Sequence, residues 1–119
     1  MATMNEVIGE LEEVKPNVIA DEVKYKWLAN LDGRISLQVH MEDAPVTYVL
    51  PDDAEKQLLV GAPFDDLYVL YCSAMVDFYN REYNNYNFSV MLFQERFEAY
   101  KAFYIQHHPT CRAGNFRNV

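Results

Sequence analysis

Any chemistry in this chain would have to come from its histidines, cysteines, serines or paired carboxylates, so their spacing comes first. The histidines are His40, His107 and His108. The last two are adjacent and would point to different faces of a helix, while His40 is remote in sequence. No cysteine pair has ligand spacing and no HExxH pattern occurs, so no metal ligand set is expected. Cys72 sits in an apolar helical pattern, where a thiolate is disfavoured, and reads as a small core residue. Ser36, Ser73 and Ser89 lack the strand–turn–helix context of a nucleophile elbow. Adjacent carboxylates occur at Glu12/Glu13, Asp52/Asp53 and Asp65/Asp66. Neighbours of that kind are usually helix caps and solvated charge; glycosidase pairs need a defined separation across a cleft. With only four glycines, no phosphate-cradling loop is present. The expectation is a protein with no catalytic residues, no cofactor and no metal.

The tyrosines are the unusual feature. There are nine, seven of them between Tyr68 and Tyr104. A tyrosine can sit at the edge of a core with its ring inward and its hydroxyl outward, or in a subunit interface, where the residue is enriched. Stacking single-stranded nucleic acid on tyrosines would also require a basic groove. The charge balance opposes that, because the chain carries a net −8. Residues 1–66 hold 14 acidic and 5 basic side chains, and residues 67–119 hold 4 and 5, so the acid is concentrated in the first half. Such a surface repels phosphate. It suits a solvated face, a basic partner, or DNA that must pass without sticking.

The elements that would position these residues follow from periodicity. At 119 residues the chain suits one domain, long enough to bury a core without disulfides or a structural metal. Two cysteines do not make a secreted framework, and a reducing compartment is expected. No apolar run approaches membrane-spanning length, and no signal peptide is visible. Thr3 and Glu6 form a capping-box pattern ahead of a first helix over 5–14, ended by Pro16. A second helix is expected over 21–41, with Val23, Trp27, Leu28, Leu31, Ile35 and Val39 as its stripe and Gly33 marking close packing or a kink.

Pro45 and Pro51 break residues 43–63, where β-prone runs flank the turn or short helical cap Pro51–Ala54; this predicts a short β-hairpin or extended arm leaning on the helices or another subunit. A third helix should start near Pro63, with Phe64, Leu67, Tyr71, Ala74 and Phe78 at 3,4 spacing. A tight turn is expected near 84–87. A fourth helix then runs to His107, its stripe being Tyr86, Val90, Phe93, Phe97, Tyr100 and Tyr104. The fold class is therefore mainly α: a small bundle of about four helices over 3–108, an arm at 43–62, and a tail, 109–119, expected to be mobile.

This pattern resembles the small head–tail connector proteins, or head-completion adaptors, of long-tailed bacteriophages and prophages. The strongest local likeness is Leu58-Leu59-Val60-Gly61-Ala62-Pro63-Phe64-Asp65-Asp66-Leu67-Tyr68. It continues through Tyr71, Ala74, Met75, Asp77, Phe78 and Tyr79 to Glu82-Tyr83-Asn84-Asn85-Tyr86-Asn87. Glu12-Glu13-Val14-Lys15-Pro16-Asn17, Asp21-Glu22-Val23-Lys24 and Trp27 are also similar. The likeness spans roughly residues 4–107 and rests on the order of elements and aromatic spacing rather than on a chemical motif.

The resemblance implies a structural protein of the virion, present in the host cytoplasm during assembly. It forms a homo-oligomeric ring between the portal protein and a tail or stopper protein, and extends the DNA channel without sequence-specific binding. Residues Tyr48, Asp52, Asp53 and Leu58 are then expected to face a neighbouring subunit or the lumen, and Arg112, Phe116 and Arg117 a partner. The competing expectation is a small acidic regulator that mimics nucleic acid and occupies a basic protein surface.

Overall fold

The computed structural model describes residues 3–50 and 52–107. Four α-helices follow one another: α1 (Met4–Val14), α2 (Asp21–Gln38), α3 (Asp66–Tyr79) and α4 (Tyr83–His107). Together they make the small helical bundle that the periodicity implies. The Thr3 side chain accepts the Glu6 N–H at 3.2 Å, the N-terminal half of the capping box.

α3 and α4 form the most extensive helix pair. At 1.5 Å per residue, the 25-residue α4 runs about 37 Å and the 14-residue α3 about 21 Å. The overrun of α4 reaches past α3 to cover the end of α2 and the arm. There Phe64 meets Tyr100 and Phe103 at ring separations of 5.8 and 5.0 Å, and His40 stacks on Tyr104 at 4.3 Å.

The core gathers Met4, Val7, Ile8 and Leu11 from α1, Leu28, Leu31 and Ile35 from α2, Leu67, Tyr68, Cys72 and Val76 from α3, and Phe93, Phe97 and Tyr100 from α4. Leu58 and Val60 of the arm are buried among them. The expected stripe of α4 is thus the one that packs. On α3 the buried face is turned relative to expectation: Tyr68 is fully enclosed, whereas Phe78 is 53% exposed.

Residues 43–63 contain no strand ladder among the described residues, and the segment is an extended arm rather than a paired hairpin. A 3-10 turn at Asp52–Glu55 interrupts it, and one antiparallel bridge joins Gln57 to Thr3. A two-stranded ribbon has too little of its own to bury; here the arm takes its order from α2 and α3 instead.

Two boundaries differ from the periodicity. α2 stops at Gln38 because Met41 adopts a left-handed φ of 59° and the Glu42 N–H bonds back to the Ser36 carbonyl. The α3–α4 turn lies at Asn80–Glu82, with Arg81 at φ 60°, so Asn84, Asn85 and Asn87 belong to the first turns of α4. The pull of Tyr86 and Phe93 toward α3 outweighs the turn preference of the asparagines. α3 itself begins at Asp66, since Gly61–Asp65 forms the turns that bring Val60 back toward Tyr68.

Candidate functional site

The inward face of α2 carries Lys24, Leu28, Asp32 and Ser36, each four residues from the next, with Leu31 and Ile35 beside them. Helical spacing alone therefore drives polar groups into the core. Asp32 is fully buried. Its Oδ1 accepts the Tyr68 hydroxyl at 2.6 Å, and its Oδ2 accepts the Tyr48 hydroxyl at 2.7 Å and the Leu59 N–H at 3.1 Å. The Tyr68 hydroxyl in turn accepts the Val60 N–H at 2.9 Å. One carboxylate thus ties α2, α3 and both sides of the arm.

Burial pushes the Asp32 carboxyl above its ordinary range, against the lowering effect of its three donors and the nearby His40. The Tyr68 and Tyr48 hydroxyls are pushed well above theirs by burial and by Asp32 itself, so both remain donors at neutral pH.

A second buried carboxylate, Asp77, joins the other end of the bundle. Lys15 Nζ lies 2.6 Å from both of its oxygens and the Ser89 hydroxyl donates to Oδ2 at 2.9 Å, linking the end of α1 to α3 and α4. Lys24, 1% exposed, pairs with Glu12 of α1. Ser36 accepts the Val46 N–H at 3.0 Å and donates to the Gly33 carbonyl at 2.8 Å, pinning the arm over Gly33. His40 Nε2 and the Tyr100 hydroxyl share a 2.6 Å hydrogen bond whose direction depends on the imidazole tautomer. Burial pushes the Tyr100 hydroxyl up to about 12, with Tyr104 and Asp32 adding to it.

Arg34 differs from all of these. Its guanidinium lies over Phe97 at 5.3 Å and Phe93 at 5.9 Å, a cation–π arrangement. It has no ion-pair partner among the described residues, and its Nε is buried without an acceptor. A buried donor left unpaired costs about 1–3 kcal/mol. Arg34 lines a cleft of about 210 Å³ between α2, α3 and α4.

The residues singled out from sequence fall in several places. Leu58 is 2% exposed and packs within the chain's own core. Tyr48 is half-buried, its hydroxyl engaged by Asp32. Asp53 accepts the Val49 N–H at 2.7 Å and pairs with Lys56 at 3.5 Å, a turn-stabilising role. Asp52 stands exposed beside it. Arg112, Phe116 and Arg117 lie outside the described residues. Asp32 and Tyr68 bind one another although 36 residues separate them, and sequence reasoning gave neither a polar role. The signal was available in the i, i+4 alignment of Asp32 with Leu28.

Cys72 is fully buried and its thiol is pushed up to about 12, by burial above all. Among the described residues no cluster of three or more His, Cys, Asp or Glu is placed to hold a metal ion, and no helix is long and apolar enough to cross a membrane. Set against family models, curated proteins and solved structures, the chain finds no match in any of the three comparisons.

Proposed function

We propose that this chain is a non-enzymatic head–tail connector of a long-tailed phage or prophage, a subunit of a ring that joins the portal to the tail or stopper and extends the DNA channel. The observation that carries the reading is a group of exposed apolar side chains around the α3–α4 turn and the first turns of α4. Phe78, Tyr79, Tyr83, Phe88 and Met91 are each more than half exposed. The rings of Phe78 and Tyr83 touch one another, at 6.2 Å, and leave their outer faces open. A single exposed apolar residue is ordinary, but a group of them at one end of a helix pair marks a surface for another protein.

The buried carboxylates suit the same reading: the donors around Asp32 and Asp77 lock helices together, so both groups serve the packing of the bundle. In the ring, Asp52 faces the channel and keeps backbone phosphate from adhering.

The test mixes the chain with the portal protein encoded in the same phage or prophage genome and follows size-exclusion chromatography with light scattering. A portal-bound ring is expected. A chain that stays monomeric at high concentration and ignores the portal overturns the reading. The exposed acids of the first half, among them Glu10, Glu13, Glu42 and Asp43, would instead favour the acidic-mimic reading if the chain retained a DNA-binding protein and released it at high salt.

A further inference from the structure

We propose that the Arg34 cleft is the socket of the subunit–subunit contact, taking an aspartate or glutamate side chain from the acidic first half of a second copy of this chain. The inference rests on the ring reading above and supplies the contact that the reading leaves open.

The cleft joins a single cation to aromatic and aliphatic walls: Arg34 from α2, Tyr71 and Met75 from α3, and Tyr86 and Phe93 from α4. A guanidinium offers a planar fork of donors that matches a carboxylate two bonds at a time. In a chain with 18 acidic residues, this cation has no carboxylate within ion-pair distance among the described residues. One positive charge balances one carboxylate. Phosphate, which carries more charge, would face electron-rich ring surfaces with no second cation. Tyr71 and Gln94, which also line the cleft, carry neutral groups able to donate.

Size points to a side chain. The cleft, about 210 Å³, is smaller than the roughly 300–1,000 Å³ of pockets that hold free small molecules. It suits the single anchoring residue around which protein interfaces concentrate their binding energy. The cleft also adjoins the exposed Phe78–Tyr83 pair, because Tyr86 lines the cleft and its ring meets that of Phe78 at 5.2 Å. A segment that covered Phe78 and Tyr83 would bring an acid within reach of Arg34.

The acid comes from the chain itself. Residues 1–66 carry 14 carboxylates against 5 cations, and Glu10, Glu13, Glu22, Glu42 and Asp43 stand exposed on that half. A contact between a socket on one part of the surface and an acid on another is heterologous, the kind that closes into a ring. The net charge of −8 opposes association at low salt, but at physiological ionic strength the screening length is about 8 Å, short enough for a seated pair to outweigh the distant repulsion.

The experiment uses the full chain alone and on the portal ring. Arg34→Gln, shown to be folded by circular dichroism, is expected to weaken self-association at least tenfold in sedimentation velocity. Arg34→Lys keeps the cation and permits zero-length carbodiimide coupling. With mixed ¹⁵N-labelled and unlabelled chains, mass spectrometry should find position 34 joined to an acid of residues 1–66 in the other isotopic form. Self-association unchanged in Arg34→Gln, or coupling confined to one chain, overturns the proposal. Wild-type chain that fails to bind the portal sinks the ring reading itself. Arg34→Gln that assembles on the portal like wild type removes only the socket.

Discussion

Replacing Tyr68 by Phe tests the central claim about the fold, that the Asp32–Tyr68 pair holds the arm in place. The substitution removes one oxygen and almost no volume, so its effect is electrostatic. Two interactions go. Asp32 Oδ1 loses the Tyr68 hydroxyl, a hydrogen bond to a charged group contributing about 1.5–3 kcal/mol. The Val60 N–H loses its acceptor inside the core, costing about 1–3 kcal/mol more. Because Oδ2 keeps the Tyr48 hydroxyl and the Leu59 N–H, a net loss of about 3–4 kcal/mol is expected.

For a chain of this length that corresponds to a fall of about 10–20 °C in Tm. Tyr48→Phe is the control: its hydroxyl is half-buried, water can replace it, and the loss should stay near 1 kcal/mol.

The pH dependence gives a sharper check. The folded state holds the Asp32 carboxyl above its unfolded value of about 4, so it binds that proton more tightly than the unfolded chain. Asp32's contribution is therefore most favourable below the unfolded value and declines as pH rises through the raised folded value. Removing the Tyr68 donor, which lowers that value, raises it further, so the deficit of the variant should widen as pH rises from the unfolded carboxyl value through the raised folded one. Urea melts followed by circular dichroism at several pH values would measure it. A deficit no larger than that of Tyr48→Phe, or one that does not change with pH, would show that the Asp32–Tyr68 pair does not hold the arm in place.

Lys15→Met leaves Asp77 buried with Ser89 as its remaining donor. A loss of about 2–3 kcal/mol is expected in denaturant melts, with part recovered when Asp77→Asn is added. Gly33→Ala should stabilise the protein by about 0.5–1 kcal/mol. The added methyl would meet Pro45 Cβ and the Val46 carbonyl at 3.6 Å, an ordinary contact, while the helix gains propensity; a lower Tm would show that the arm needs more room than the structure leaves. The Cys72 thiol, buried and pushed up to about 12, should resist alkylation in the native state and react on unfolding. Rapid native labelling of the Cys72 peptide by mass spectrometry would contradict its burial.

What the sequence disclosed and what it hid divide along a physical line. Period-3.6 stripes revealed all four helices, and for α4 they named the buried residues Phe93, Phe97 and Tyr100. Stripes report where apolar residues sit, so they failed where polar ones face inward. On α2 the reading favoured Val23 and Trp27, yet the face that turns inward includes Lys24, Asp32 and Ser36. Only their partners on distant segments make those positions tolerable, and no local pattern encodes a partner 36 residues away. The end of α2 was hidden for a related reason. Met41 takes the left-handed conformation that Gly or Asn usually marks, so nothing in the chain announced the stop. Arg81 conceals the α3–α4 turn in the same way, and the nearby asparagines drew the expected turn to the wrong place.

These polar ties also bear on which surface the proposed assembly would use. Sequence reasoning assigned contacts to the arm, through Tyr48 and Leu58, because an unsupported ribbon needs a neighbour. The arm already has neighbours within its own chain: Asp32 holds Tyr48 and Leu59, Tyr68 holds Val60, and Ser36 holds Val46. A neighbouring subunit that drew the arm out would have to leave the buried Asp32 carboxylate with fewer donors, which low local dielectric makes expensive. The α3–α4 turn faces no such penalty. Phe78, Tyr83 and Phe88 are exposed as folded, and covering them removes apolar surface from water with no internal bond broken. Assembly through that end, with Arg34 at its inner margin, would require no rearrangement of the subunit, whereas drawing the arm out onto a neighbour would first undo the contacts that order it.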